Sequence, residues 1–491
     1  MDRADSNIGS LILTGRNIPA IFIILGISAG AILAGLLTYD LQIALASFFL
    51  IALLTGTLVN RGKLFPYMVL FLFITGNLLP MDKRFFPESS LSFNLDAFLN
   101  IIVVFFTLIV LYLNRQKLKR ARKLSLLLWR IFLCCTFFSL LLGQYPGYGL
   151  KTIFRLLTPF LIALVFMVRT DNEKDLKRFL STFSLVLLIP VGMAVLELTS
   201  KFNPLYSGEF RLYAQVASVF NHRAPFGMFL IVVANLSFLF AFGQRIKVGY
   251  VILFVISIGL ILFNNTRIVW LSFSVSFLVI LFLKKKYSLM ILVFILLLLA
   301  IQMFPNLQSR LGPIDLSDIS GTYRSSPQLG TLRDRVFVWK SLMDHLNSLI
   351  LGNGIGFVRY IFTRHSEWFY NIAAPHNEYL GVLMDLGLVG LSLFFLFYLV
   401  LFRDLVKNAR RASGIYQDIT ILSSSLVIAS LVFFVTDNLL SYYTINSFYW
   451  IFFGLGLSTH IASPERTSSS PASAPVAGKE NQQQQPMYST S

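Results

Sequence analysis

Charge is scarce in this chain. Only 13% of its 491 residues are Asp, Glu, Lys or Arg, against about 25% in a soluble domain. With 56% hydrophobic residues, that scarcity excludes an ordinary water-soluble globular protein. Cysteine is almost missing too. Cys134 and Cys135 are the only two, and they are neighbours inside an apolar run. Adjacent cysteines do not readily meet disulfide geometry, so no disulfide framework exists and the pair says nothing of redox compartment. Acidic residues are few, 23 against 41 Lys and Arg, which leaves a formal charge of +18. No internal repeat is evident.

What the chain has instead is apolar runs long enough to cross a bilayer, recurring from end to end. The first, Ile18 to Thr38, exceeds a signal-peptide core and shows no small-residue cleavage site, so it reads as a retained helix. Fourteen candidate spans can be drawn: about 18–38, 41–59, 64–80, 97–113, 125–143, 152–168, 179–199, 224–243, 248–264, 268–283, 287–304, 377–402, 418–440 and 445–462. The expectation is an all-α, polytopic membrane helix bundle of about 12–14 transmembrane helices with one large external loop. It divides into N-terminal helices over 1–304, the loop over 305–376, C-terminal helices over 377–463 and a Ser/Ala/Pro/Gln-rich tail over 464–491 that reads as disordered.

The cations fall into alternate short loops. Arg61 and Lys63, the cluster from Arg115 to Lys123, Arg169 to Arg178, Arg245 and Lys247, Lys284 to Lys286, and Arg403 to Arg411 form one set. By the positive-inside rule these loops and both termini are cytoplasmic. The charge then belongs to anionic lipid at helix ends, which excludes a nucleic-acid partner. The opposite face holds segment 200–223, the turn Asn264-Asn265-Thr266-Arg267 and the loop 305–376.

That face collects the residues with chemistry. Pro375-His376-Asn377-Glu378-Tyr379-Leu380 stands directly before a long apolar run. A lone histidine there is more often a helix cap than a catalyst. Arg267 interrupts an otherwise apolar stretch from Val248 to Leu283, a costly place for a cation unless it is paired or lines a wet cavity. Arg211 and Arg223 occupy the 200–223 loop as interfacial cations or anion contacts, and Arg155 lies one turn inside a helix at the same end, where snorkelling explains it. Glu378 and Asp385, seven residues apart, share a helix face roughly opposite His376, and Asp385 is expected to face the bundle interior against a neighbouring helix. Within the loop, Val336, Trp339, Met343 and Leu346 recur at helical spacing, which predicts an amphipathic helix on the membrane surface. Gly352-Asn353-Gly354-Ile355-Gly356 matches neither phosphate-binding glycine pattern and reads as a turn.

Three of these segments resemble the bacterial O-antigen ligase and O-antigen polymerase superfamily. His376-Asn377 running into Asp385-Leu386-Gly387-Leu388-Val389-Gly390 is similar to the family's His-Asn start followed by an acidic residue and Gly-x-x-Gly. The helix around Trp339 leading to Leu351–Phe357 is the second, and Thr266-Arg267-Ile268-Val269-Trp270-Leu271 resembles the third, with Thr266 where the family has serine. The stretch Asn221-His222-Arg223-Ala224-Pro225 follows the pattern less closely, which leaves Arg211 and Arg223 as alternatives for one role.

The resemblance implies an enzyme on the periplasmic face of the bacterial inner membrane. It implies transfer of a glycan from an undecaprenyl-diphosphate carrier to an acceptor sugar hydroxyl, either lipid A–core or a second carrier-linked glycan, for O-antigen or exopolysaccharide assembly. It implies no cofactor and no metal, and it admits other polysaccharide-assembly proteins as partners. In that chemistry His376 is the base for the acceptor hydroxyl, and Arg267 with Arg211 or Arg223 binds the diphosphate, with Arg155, Asn377, Glu378 and Asp385 as secondary candidates. The rival reading is a lipid-linked glycan flippase or polysaccharide transporter. Mid-span charges are few, Glu197, Asp385 and Asp437 being the clearest, and polar groups gather at one surface, which suits interfacial catalysis better than alternating access.

Overall fold

A computed structural model describes residues 84–85, 93–120, 123–169, 173–200, 218–220, 222–242, 247–303, 332–365 and 374–458. The expected spans 18–38, 41–59 and 64–80, Arg211 and the tail 464–491 lie outside these residues. Apart from a two-residue antiparallel pairing of Arg84–Phe85 with Phe93–Asn94, the described chain is helical. The helices are α1 (Leu95–Leu113), α2 (Arg115–Arg120), α3 (Leu124–Leu142), α4 (Pro146–Arg169), α5 (Glu173–Ser200), α6 (Arg223–Ala241), α7 (Val248–Phe263), α8 (Arg267–Leu283), α9 (Tyr287–Met303), α10 (Leu332–Met343), α11 (Phe357–Arg364), α12 (Glu378–Ala409), α13 (Gly414–Phe433) and α14 (Tyr443–Gly456).

Every expected span from 97 onward has its helix. Among the described residues six, α3, α4, α5, α6, α12 and α13, are long and apolar enough to cross a membrane, and α7 and α8 are shorter apolar helices. The chain is a polytopic membrane helix bundle. Helices are the form such a chain takes because each satisfies its own backbone in hydrocarbon.

α6 and α14 form the centre. Residues Ala224 to Ala234 of α6 are buried, and α14 buries Phe448, Tyr449, Trp450, Phe452 and Phe453. Lipid supplies no hydrophobic drive between helices, so close packing must. Gly454 shows how close: a β-carbon there would lie 2.2 Å from the Ala163 carbonyl oxygen of α4. An aromatic knot of Trp129, Phe397 and Trp450, with centroids 4.5 to 5.5 Å apart, locks α3, α12 and α14 together.

Helix direction sorts the polar residues into two ends. One end holds the starts of α6, α8, α12 and α14 and the close of α13. The other holds Lys123 before α3, Arg169 at the close of α4, Lys284 after α8, and Arg403 to Arg411 at the close of α12. The described members of the basic set therefore gather at one end, and Arg61, Lys63, Arg122 and Arg245 lie outside the described residues.

α12 is not one continuous helix. Gly387 breaks it with φ 64° and ψ −166°, a region open essentially to glycine alone. The break strands backbone groups, and the loop satisfies them. Asn353 and Gly354 N–H donate to the Met384 and Asp385 carbonyls at 2.8 and 3.1 Å, while Leu388 and Val389 N–H donate to Leu349 and Ile350 at 2.9 and 3.3 Å. Gly352-Asn353-Gly354-Ile355-Gly356 is thus a turn, docked against the broken helix. The preceding helix, α10, departs from expectation. Its fully buried residues are Val338 and Leu342, packed with Phe357, Ile361, Phe362 and Met384, whereas Met343 from the expected stripe is exposed. α10 spends its apolar face on α11 and α12 rather than on a membrane surface.

Candidate active site

The site forms where three chain breaks meet: the start of α12, the close of α13 and the start of α6. His376 precedes α12 by two residues and has φ 50°. Asn377 caps the helix, its side-chain oxygen accepting from the Leu380 N–H at 3.0 Å. That leaves the imidazole outside the helix rather than in its cap, against the common role for a histidine at such a place.

The imidazole faces a carboxylate. His376 Nδ1 lies 3.4 Å from Asp437 Oδ1, with the histidine side chain 30% exposed and the aspartate 4%. A carboxylate only accepts, so this long hydrogen bond fixes the proton on Nδ1 and leaves Nε2 as the basic nitrogen. Asp437 is itself held. Its Oδ1 accepts from the Tyr442 hydroxyl at 3.0 Å and from the Asn438 N–H at 2.8 Å. Burial alone would raise the Asp437 carboxyl, but His376, the Asn438 N–H and His222 outweigh it and hold the group below the usual carboxylate value. Burial, ahead of the neighbouring Asp437, pushes the Tyr442 hydroxyl up, so it stays a donor.

Asp437 was legible only as a mid-span charge. It is not one, because α13 ends at Phe433 and Asp437 lies in the turn that follows. Glu197 is likewise near the close of α5, accepting from the Ser218 N–H at 2.9 Å.

α10 ties the two segments together. Trp339 Nε1 donates to the carbonyl of Pro375 at 2.7 Å, and Arg335 donates to the carbonyl of Thr436 at 2.8 Å. Those are the residues immediately before His376 and Asp437. A second pair of bonds lies beneath. The Glu378 N–H donates to Phe434 at 2.9 Å, and a carboxyl oxygen of the half-buried Glu378 side chain accepts from the Leu440 N–H at 3.1 Å. Arg155 of α4 lies within electrostatic range of Glu378.

The start of α6 closes the third side. His222 caps it, accepting from the Ala224 N–H at 3.2 Å, and its ring lies nearly parallel to Tyr442 with centroids 6.3 Å apart. His222 has an open edge, yet the protein around it, with the charges of Arg223, His376 and Arg335, lowers its pKa despite the pull of Asp437. Arg223 follows directly, and its carbonyl accepts from the Asn264 side chain at 2.8 Å. That bond fastens the turn ending at Arg267 to the start of α6. Arg267 opens α8 with its side chain exposed.

The structure thus brings His376, Glu378, Arg155 and Arg223 into one neighbourhood and joins Arg267 to it through Asn264. Asp385 stands apart. It turns inward as expected, but onto the first turn of α11, where its oxygens accept from Gly356 N–H at 3.1 Å and Val358 N–H at 2.9 Å. Tyr442, His222 and Arg335 were not assigned to the site from sequence, and Asp437 was noted only as a charge within a span, although Thr436-Asp437-Asn438 is a turn-forming run within an apolar stretch.

The arrangement can take a proton at Nε2, hold the resulting imidazolium against Asp437, and present guanidinium groups to an anion. Among the described residues no three His, Cys, Asp or Glu side chains stand together as a metal-ion cluster. Comparison with known proteins gives a consistent result. Residues 252–395 match the family model of the O-antigen ligase domain, which spans Arg267, Arg335, His376 and Asp385 and stops before Asp437. No curated protein matches the chain.

Proposed function

With an O-antigen ligase family domain at residues 252–395 of a polytopic membrane protein, we propose that this chain moves a glycan from an undecaprenyl-diphosphate carrier to an acceptor hydroxyl. The match to that family supports a ligase- or polymerase-type glycosyltransferase of surface polysaccharide assembly. The finer reading rests on one observation above all, the His376–Asp437 pair clamped by α10 beside the arginines of α6 and α8.

In this reading the acceptor oxygen attacks the anomeric carbon of the donor sugar while the bond from that carbon to the diphosphate oxygen breaks. His376 Nε2 takes the acceptor proton, and Asp437 stabilises the imidazolium that forms. Negative charge gathers on the departing diphosphate, and Arg223 and Arg267 neutralise it through paired N–H donors, with Arg211 the alternative to Arg223. Glu378, Asn377 and Arg155 position the start of α12. Asp385 acts at a distance, by fixing α11. The reaction needs no nucleotide sugar and no metal.

The same reading keeps the basic end of the bundle and both termini in the cytoplasm and opens the site to the periplasm of a bacterial inner membrane. Residues 1–304 and 377–463 then supply the membrane helices, 305–376 the periplasmic loop and 464–491 a cytoplasmic tail. Lipid A–core and a second carrier-linked glycan are the two candidate acceptors, and other polysaccharide-assembly proteins are candidate partners.

The test is reconstitution of the full chain in liposomes with a carrier-linked repeat and both acceptors offered together. Product should form, unchanged by EDTA, and its size separates ligation from polymerisation. Translocation of intact carrier-linked glycan with no new glycosidic bond would replace this reading with a flippase, and loss of turnover in EDTA with rescue by a divalent ion would end its metal-free form.

A further inference from the structure

A second polar site lies at the opposite end of the bundle, 27 residues along α12 from His376, where α3 begins and α12 closes. Lys123, Leu124, Arg403, Asp404, Lys407 and Arg411 line a cleft of about 250 Å³ there. That is room for several waters, enough for a phosphate group.

Four cations face one carboxylate, and that carboxylate is already engaged. Asp404 accepts from the Ser125 hydroxyl at 2.9 Å through one oxygen and from Arg403 at 2.9 Å through the other. The Lys123 ammonium donates to the Asn408 side-chain oxygen at 3.2 Å. Among the described residues, no ion pair or hydrogen bond engages the side chains of Lys407 and Arg411. Among the described residues, the cleft therefore carries an excess of positive charge.

The surface beside it is apolar in a regular way. On α3, Leu124, Leu127 and Ile131 are 46%, 50% and 40% exposed, and they recur at helical spacing on one face. On α12, Leu399 and Leu396 are 58% and 46% exposed, four and seven residues before Arg403 and so on its face. Two exposed apolar stripes thus run from the cleft into the membrane-spanning part of α3 and α12. A soluble anion has no use for them, whereas acyl chains do.

We propose that this cleft binds a phosphate-bearing anion, and that its source is the headgroup of an anionic phospholipid whose chains lie along the α3 and α12 stripes. The state of Lys123 agrees. Burial, together with the repulsion of Arg411 and Lys407, outweighs the attraction of Asp404 and lowers its pKa, a penalty that a bound anion relieves. The site is independent of the transferase reading, since it needs only the bundle and its membrane.

The experiment is native mass spectrometry of the full chain released from phosphatidylcholine nanodiscs containing rising fractions of phosphatidylglycerol. The cleft variant is Lys407→Gln with Arg411→Gln, both exposed positions. The control is Lys285→Gln with Lys286→Gln, which removes the same charge after α8 but outside the cleft. Each cation near an anionic surface contributes about five-fold. Removing two such cations from the cleft should therefore weaken retention of phosphatidylglycerol about 25-fold, and the control, whose lysines do not line the cleft that holds the headgroup, should weaken it clearly less. Inorganic phosphate forms a separate arm. If phosphate binds the wild type, is lost in the cleft variant, and phosphatidylglycerol is not retained, the anion site stands and its lipid source is overturned. Equal loss in cleft and control variants, or unchanged retention in both, would overturn the site itself.

Discussion

Replacing Asp437 with asparagine isolates what its charge does. Asn keeps an oxygen where Oδ1 now meets Tyr442, Asn438 and His376, so the local packing persists while the negative charge is gone. Unit charges 3.4 Å apart attract by about 5 kcal/mol at an effective dielectric of ~20. His376 is 30% exposed, so solvent screening cuts that to roughly 2 kcal/mol for the imidazolium formed as the acceptor proton arrives. At 1.36 kcal/mol per decade this is about a 30-fold loss in kcat. KM should stay within about three-fold, because the charge acts on a species present only after proton transfer begins. The assay is steady-state transfer by reconstituted protein at several donor concentrations. His376→Ala should cost about 10²–10⁴-fold, and adding Asp437→Asn to it should cost little more, since the aspartate works through the imidazole. A fully additive double variant, or a single variant with unchanged kcat, would refute the pairing.

Three further outcomes follow from the same geometry. Arg267→Lys should lower kcat/KM by at least about ten-fold, because lysine keeps the charge and loses the planar fork; near-normal turnover would reduce Arg267 to a snorkelling residue. Gly387→Ala should release the 349–354 loop from α12, since its β-carbon would lie 2.2 Å from the Ile350 carbonyl oxygen, and limited proteolysis between α10 and α11 should then accelerate. Asp437 also predicts a pH dependence of stability. Its folded pKa lies below the ordinary value of 3.8, so its stabilising contribution is complete above the unfolded value and is lost as pH falls through the folded one. The difference in thermal stability between wild type and Asp437→Asn should shrink as pH falls through the acid range below about pH 5; a difference that grows over that range would contradict the assignment.

Some of this was legible in the sequence because its cause is local. An apolar run ended by a capping Asn377 marks the start of α12 whatever surrounds it, and alternating basic loops separate the two ends of the bundle. Asp437 was hidden for a nonlocal reason. Residues 418–440 read as one apolar span, and α13 stops at Phe433 where the start of α12 takes the Phe434 carbonyl. Arg335 and Trp339 could be placed on a helix but not aimed, because their partners are backbone carbonyls 101 and 36 residues away. The break at Gly387 was visible only as glycine spacing, since its stranded backbone groups are satisfied by a loop that no local pattern pairs with it.

The central claim is that the donor's diphosphate sits beside His376, between the starts of α6, α8 and α12. A cryo-EM map of the reconstituted protein with a non-transferable carrier-diphosphate analogue tests it directly. The account predicts diphosphate density in contact with the Arg223 or Arg267 guanidinium, with His376 facing the sugar. Density confined to the Lys123 and Arg403 end, with the His376 end empty, would contradict it.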